Sequence, residues 1–112
     1  MRRAEKLQKN GQFELAAAEY RKALALNRDA DLAVRVARML LDDAKLPEEA
    51  SSFARASLKL GADEASSRFV LGRAKEALGA LESAIKEYRK VLLASPEHTG
   101  AEGRIRELEG ES

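Results

Sequence analysis

A chain of 112 residues with 45% apolar side chains can build one modest core and is too short for two. Twenty basic against nineteen acidic residues leave a formal charge of +1, which excludes a global field strong enough to recruit nucleic acid or an anionic membrane. Cysteine is absent, which excludes disulfides, thiolate metal sites and thiol nucleophiles, and no apolar run approaches the roughly 20 residues that span a bilayer.

The predicted elements are all helices, since Ala, Leu, Glu, Lys and Arg dominate and only two prolines interrupt the chain. Met1-Arg2-Arg3 is basic but no apolar segment follows it, so no secretory signal is expected and the cytosol is the favoured compartment. A short first helix over 2–10 ends at Gly11. A second, 12–27, carries Phe13, Ala16, Tyr20, Ala23 and Leu24 at helical spacing. The third, 30–43, carries Val34, Ala37, Leu40 and Leu41 and stops before Lys45-Leu46-Pro47. Pro47 suits the first position of a fourth helix, 47–60, where its missing N–H costs nothing. The fifth, 64–78, shows Val70, Leu71, Ala74 and Leu78; Gly79 then turns into the sixth, 80–94, with Leu81, Ala84, Ile85, Tyr88 and Leu92. The seventh, 98–109, has Ile105 and Leu108 as anchors among charges, the pattern of a solvating cap, with Gly100 and Gly103 weakening it. Connections of two to four residues make neighbouring helices antiparallel.

The second and sixth helices share a text. Glu19-Tyr20-Arg21-Lys22 matches Glu87-Tyr88-Arg89-Lys90, and a third copy lies between them. Ala16, Ala50 and Ala84 stand 34 residues apart, as do Leu24, Leu58 and Leu92, and Arg21, Arg55 and Arg89. The small alanines let the second helix of each pair approach the first, while Tyr20 and Tyr88 fill the space between pairs with their hydroxyls toward water. Truncating a stacking residue such as Leu92 is expected to cost about 2–5 kcal/mol.

This unit resembles the tetratricopeptide repeat (TPR), whose 34-residue pattern reads W-x2-L-G-x2-Y, then A-x3-F, then P. The third copy matches with Leu71-Gly72, Ala84, Tyr88 and Pro96, and departs at Arg68 and Lys75, where the pattern has Trp and Tyr. The first copy matches at Ala16, Tyr20 and Ala23, but Arg28 replaces the closing Pro; the middle copy has Ala54 where the Phe-like residue belongs. The resemblance implies an all-α, right-handed α-solenoid of three TPR-like helix-turn-helix repeats plus a C-terminal capping helix. It implies one domain over 1–112, with repeats at about 1–29 (its opening helix truncated), 30–63 and 64–97 and the cap at about 98–109. Strict counting would put Arg38 at the tight position of Gly72. Sliding the third helix by one residue puts Ala37 there instead, at the expense of a shorter linker after Asn27 and a longer Lys45–Pro47 turn.

Catalysis finds no footing. His98 sits in a linker with no nucleophile or orienting partner in view, so a surface linker histidine is expected. Asp42-Asp43 and Glu48-Glu49 read as solvated acids near a turn rather than metal ligands, because neighbouring helical positions point apart. No enzyme activity, cofactor or metal is expected. Lys86, Arg89 and Lys90 around Tyr88 look like a basic-aromatic cluster, but Glu82 and Glu87 interleave them and no nucleic-acid partner is expected.

The resemblance instead implies a non-catalytic interaction scaffold, since TPR units commonly bind extended or helical peptides on a concave wall made by the first helix of each pair. Carried over by position, that wall holds Arg2 and Glu5, then Val34, Arg35, Arg38 and Leu41, then Phe69, Val70, Arg73 and Glu76. Arg38 and Arg73 fall at equivalent places, where their forks suit a carboxylate, with Phe69 as an apolar plate beside them. The expected partner is a peptide with an acidic group and an apolar anchor; the alternative is that these arginines pair with Glu5, Asp42 and Glu76 and keep the wall soluble. The chaperone-tail clamp of some TPR domains is not expected, because its Lys, Asn and Arg positions fall here on Met1, Glu5, Val36 or Arg35, Ser66 and Val70. A structural reading stands beside these. The abbreviated first helix would leave Phe13, Leu15 or Tyr20 partly uncovered, for an upstream segment of a longer protein or a second copy in a homodimer to cover.

Overall fold

The structure, a computed structural model, describes residues 2–110, with Arg2 in its backbone alone. The described residues form α1 (Arg2–Lys9), α2 (Phe13–Leu26), α3 (Ala30–Asp42), α4 (Pro47–Lys59), α5 (Glu64–Ala77), α6 (Leu81–Ala94) and α7 (Thr99–Leu108). Every predicted end lies within one residue of the observed one. The helices pair in sequence as hairpins and stack into an elongated body of 44 × 26 × 18 Å.

The two kinds of helix start differently. Of the helices that open a hairpin, α3 and α5 carry side-chain caps: Asp29 accepts from the Leu32 N–H at 3.1 Å and Asp63 from the Ser66 N–H at 2.9 Å. His98 caps α7 in the same way, its Nδ1 accepting from the Ala101 N–H at 3.0 Å, so the expected surface histidine is a structural one. The closing helices α2, α4 and α6 lack such caps and follow turns sealed by backbone bonds. The N–H groups of Gln12, Leu46 and Ala80 reach back to the carbonyls of Leu7, Leu40 and Lys75 at 2.9, 2.8 and 2.9 Å. Gly11 and Gly79 take φ of 76° and 82° in the outer turns, where a glycine costs nothing; in the middle turn Lys45 bears φ 56° instead.

The slipped register is the one adopted. The linker before α3 is residues 27–29, one shorter than 60–63 and 95–98, and the turn after it is 43–46, one longer than 10–12 and 78–80. Ala37 is sealed and Arg38 stands in solvent. At the equivalent place in α5 a Cβ on Gly72 would lie 2.6 Å from the Tyr88 ring, so glycine is what lets α5 and α6 meet there.

Ala16, Ala50 and Ala84 are completely buried, and one core runs from Ala4 through Leu40 and Phe53 to Ala74. A second cluster under α7 gathers Tyr88, Val91 and Ala101, with α5 as the wall between the two. Three expectations change. Leu24, Leu58 and Leu92 are only half-buried, so the full core cost belongs to closed positions such as Leu40 and Val91 rather than Leu92. Tyr20 is covered despite the short α1, because its hydroxyl donates to Gln8 at 2.8 Å; Leu15 is the residue left exposed. Leu78, expected on a buried stripe, is 45% exposed at the end of α5.

The departures from the TPR pattern have physical counterparts. Arg68 and Lys75, standing where Trp and Tyr belong, both reach the buried Glu87, at 3.1 and 2.9 Å. Burial disfavours the Glu87 carboxylate, but the Lys75 and Arg68 bonds outweigh it and hold its pKa below the usual range. A charge triad thus replaces aromatic packing. In the middle copy the bulk missing at Ala54 is supplied one residue earlier by the buried Phe53, with the Arg21 guanidinium 4.8 Å from its ring centre.

Candidate functional site

The opening helices α1, α3 and α5, followed by α7, line one face with three successive depressions. The first, about 330 Å³, lies between α1 and α3 and is lined by Glu5, Gln8, Tyr20 and Arg35 among others. The second, about 350 Å³, lies between α3 and α5, with Val34, Arg35, Arg38 and Ser66 and the acids Asp31 and Asp63. The third, about 520 Å³, holds Leu41, Asp42, Lys45, Arg73, Glu76 and Arg104. Arg35 belongs to both of the first two, so they are continuous.

Among the described residues, two of the three cations of the third depression, Arg73 and Arg104, are paired internally, and Lys45 is not. Arg73 donates to Asp42 at 2.6 Å. Arg104 grips Glu76 in bidentate fashion through Nε and Nη2, and Tyr88 donates its hydroxyl to the same carboxylate at 2.8 Å. Burial disfavours the Glu76 carboxylate, yet the Arg104 and Tyr88 bonds prevail and lower its pKa. Tyr88 is driven well above the ordinary tyrosine value, by burial first and by the adjoining carboxylate second. At the other end Gln8 replaces Glu76 and Tyr20 replaces Tyr88, with the same 2.8 Å bond. Arg35 is there the counterpart of Arg104, each the sixth residue after its cap, Asp29 or His98. Facing an amide instead of a carboxylate, Arg35 forms no ion pair within 4 Å among the described residues, and neither does Arg38.

The residues expected on the wall therefore divide. Glu5, Val34, Arg35, Arg38, Leu41, Arg73 and Glu76 all line the face. Arg38 and Arg73 do not share a depression, and the Asp42 pairing of Arg73 is the alternative that the sequence left open. Val70 is 1% exposed and lies in the core. The Phe69 ring packs against Tyr88 and His98, with centroids 5.6 and 4.7 Å away, and so forms no plate beside Arg73. Arg2 lies outside the described side chains. Of the clamp positions, Val36 and Val70 are buried and offer no polar group. Arg104 was missed because α7 reads as a solvating cap; its equal distance from the cap as Arg35 was the available signal. Among the described residues no helix is long and apolar enough to cross a membrane.

Stacked helical hairpins with a lined inner face define a repeat scaffold. The tetratricopeptide repeat model matches residues 2–29 and 65–98, more than half of the sequence, and leaves out the middle hairpin, where Ala54 and the slipped register depart from the pattern. The chain belongs to the tetratricopeptide repeat family, a family of non-catalytic scaffolds. Two solved structures share the fold. The second TPR domain of human RPAP3, in complex with the HSP70 peptide SGPTIEEVD, is 24% identical over 96% of this chain and 89% of that one, with a TM-score of 0.78. The first TPR of Spaghetti (RPAP3), bound to the HSP90 peptide SRMEEVD, is 24% identical over 97% of this chain and 86% of that one, with a TM-score of 0.77. At this identity the likeness is one of fold. No curated protein matches the sequence.

Proposed function

We propose that the face formed by α1, α3 and α5 binds an acidic peptide segment of a partner protein, with its carboxylates at Arg35 and Arg38 and an apolar side chain against Val34. The observation that carries this reading is that Arg35 and Arg38 have no ion pair among the described residues, while the arginines at the other end, Arg73 and Arg104, are bound internally. Two guanidinium forks on one helix face suit carboxylates, and Glu5, Asp31 and Asp63 at the margins set which acidic sequences fit. Leu41, Arg73 and Glu76 extend the groove toward α7, where Lys45 is the one cation without an ion pair among the described residues. The peptides held by the two RPAP3 domains both end in EEVD, two glutamates before a valine and an aspartate, which is chemistry of the same kind. They are convenient probes, although the clamp residues themselves are absent here.

Fluorescence anisotropy with labelled SRMEEVD, and with the same peptide carrying Gln for each Glu, tests the reading. Replacing Arg35 and Arg38 together with Ala is expected to weaken binding about tenfold or more and to flatten its salt dependence. Arg73→Ala is expected to change it little. Equal binding by wild type and the double variant would remove the proposal. A second reading, self-association through the outer face of α2, is favoured by Leu15 and Leu26, which are 55% and 90% exposed. Light scattering across concentration separates the two, since a monomer with a titratable groove excludes it.

A further inference from the structure

On the opposite side of the stack, the closing helices α2 and α4 part to leave a cleft of about 530 Å³. Its floor is Phe53, flanked by the half-buried Leu24 and Leu60. Every charged residue that lines it is basic: Arg21, Arg28 and Lys59. None of the three forms an ion pair within 4 Å among the described residues; Arg21 lies over the Phe53 ring instead. In a chain with a formal charge of only +1, this is a local segregation of positive charge around an apolar floor.

The arrangement is peculiar to this junction. The repeat position of Phe53 is occupied by Glu19 in α2 and by Glu87 in α6, both tied to cations of their own hairpins. Arg28 has Ala62 as its counterpart one repeat on, and Lys59 has Ala25 one repeat back. An aromatic floor and a basic rim therefore coincide only between α2 and α4. Arg21 stands on α2, Arg28 in the linker beyond its end and Lys59 in the last turn of α4, so the cations edge the cleft from both sides of one apolar floor.

We infer that this cleft is a second binding site, separate from the groove, and that it takes an acidic peptide segment presenting a leucine- or phenylalanine-sized side chain between its carboxylates. The apolar side chain enters beside the Arg21-covered Phe53 ring and displaces water from Leu24 and Leu60, while the flanking carboxylates meet Arg28 and Lys59. Charge complementarity selects the occupant, because basic or neutral apolar segments leave the three cations without partners.

The test uses the hexapeptide Glu-Glu-Leu-Phe-Glu-Glu, acetylated and amidated, followed by NMR on the full chain at up to about 1 mM. Saturable shifts of the Leu24 and Leu60 methyls and the Phe53 ring are expected. They should be lost with the Lys-for-Glu peptide, and weakened about tenfold in R28E/K59E, two exposed changes that spare the core. They should persist when Arg35 and Arg38 are both Ala, which keeps this site distinct from the groove. Absence of shifts at the three residues, equal shifts with the lysine peptide, or shifts with laurate alone would overturn the inference. So would a dimer that R28E/K59E abolishes, since a second copy would then be the occupant.

Discussion

The two ends of the inner face are built from the same parts and treat charge in opposite ways. Near α7, Glu76 collects Arg104 and the Tyr88 hydroxyl, and Arg73 is spoken for by Asp42. Near α1, the corresponding set is Gln8, Tyr20 and Arg35, and the missing carboxylate leaves Arg35 without an ion pair. One carboxylate oxygen exchanged for an amide nitrogen thus separates a junction that pairs its arginine, Arg104, from one that leaves Arg35 unpaired among the described residues. Packing and recognition compete for the same arginine, and the residue at position 8 or 76 decides which receives it.

The comparison breaks most severely if the tight junction itself is opened. Gly72→Ala would drive a methyl into the Tyr88 ring and is expected to cost about 1–3 kcal/mol in urea unfolding, loosening the hydroxyl from Glu76. Exchange at the other end sharpens it: Gln8→Glu should draw in Arg35 and reduce affinity for an acidic peptide about tenfold, some 1.4 kcal/mol, without touching an arginine. An unaltered affinity would show that Arg35 is not the receiving group. The reverse exchange, Glu76→Gln, should free Arg104 and lower stability by about 1 kcal/mol at neutral pH.

That exchange also has a pH signature. Glu76 and Glu87 are held below the usual carboxylate value of 4.5 in the folded chain. Their contribution is therefore fully present above that value and is lost as pH falls through their lowered folded pKa values. Thermal melts from neutral to acid pH should show a shallower decline in the Glu76→Gln variant, and equal slopes would assign the acid sensitivity to Glu87 and the remaining carboxylates. The smallest effect is expected in the middle turn: Lys45→Gly relieves a positive φ and should raise stability by about 0.5–1 kcal/mol, readable as a shifted denaturation midpoint.

Much of the fold was legible because its determinants are local or repeat at a fixed interval. Helix ends followed from Gly11, Pro47 and Gly79, and the buried alanines from their spacing. The slipped register could be read from a single steric conflict, Arg38 against a tight crossing. Less was legible where contacts join residues far apart in the chain. Phe69 lies on the expected helix, but its ring answers to Tyr88 and His98, which arrive from two other helices. Glu87 looked like one acid in a charged row until Arg68 and Lys75 were seen to converge on it. Arg104 looked like the solvated charge of a cap.

Periodicity and turn chemistry by themselves specified helical hairpins, their boundaries and their stacking, because these depend on which residues recur at helical and repeat spacing along one chain. Which cations are left for a partner was decided only by the assembled stack. An arginine's charge sits at the end of a long side chain, and whether an acid or an amide waits there depends on a neighbouring helix rather than on neighbouring sequence.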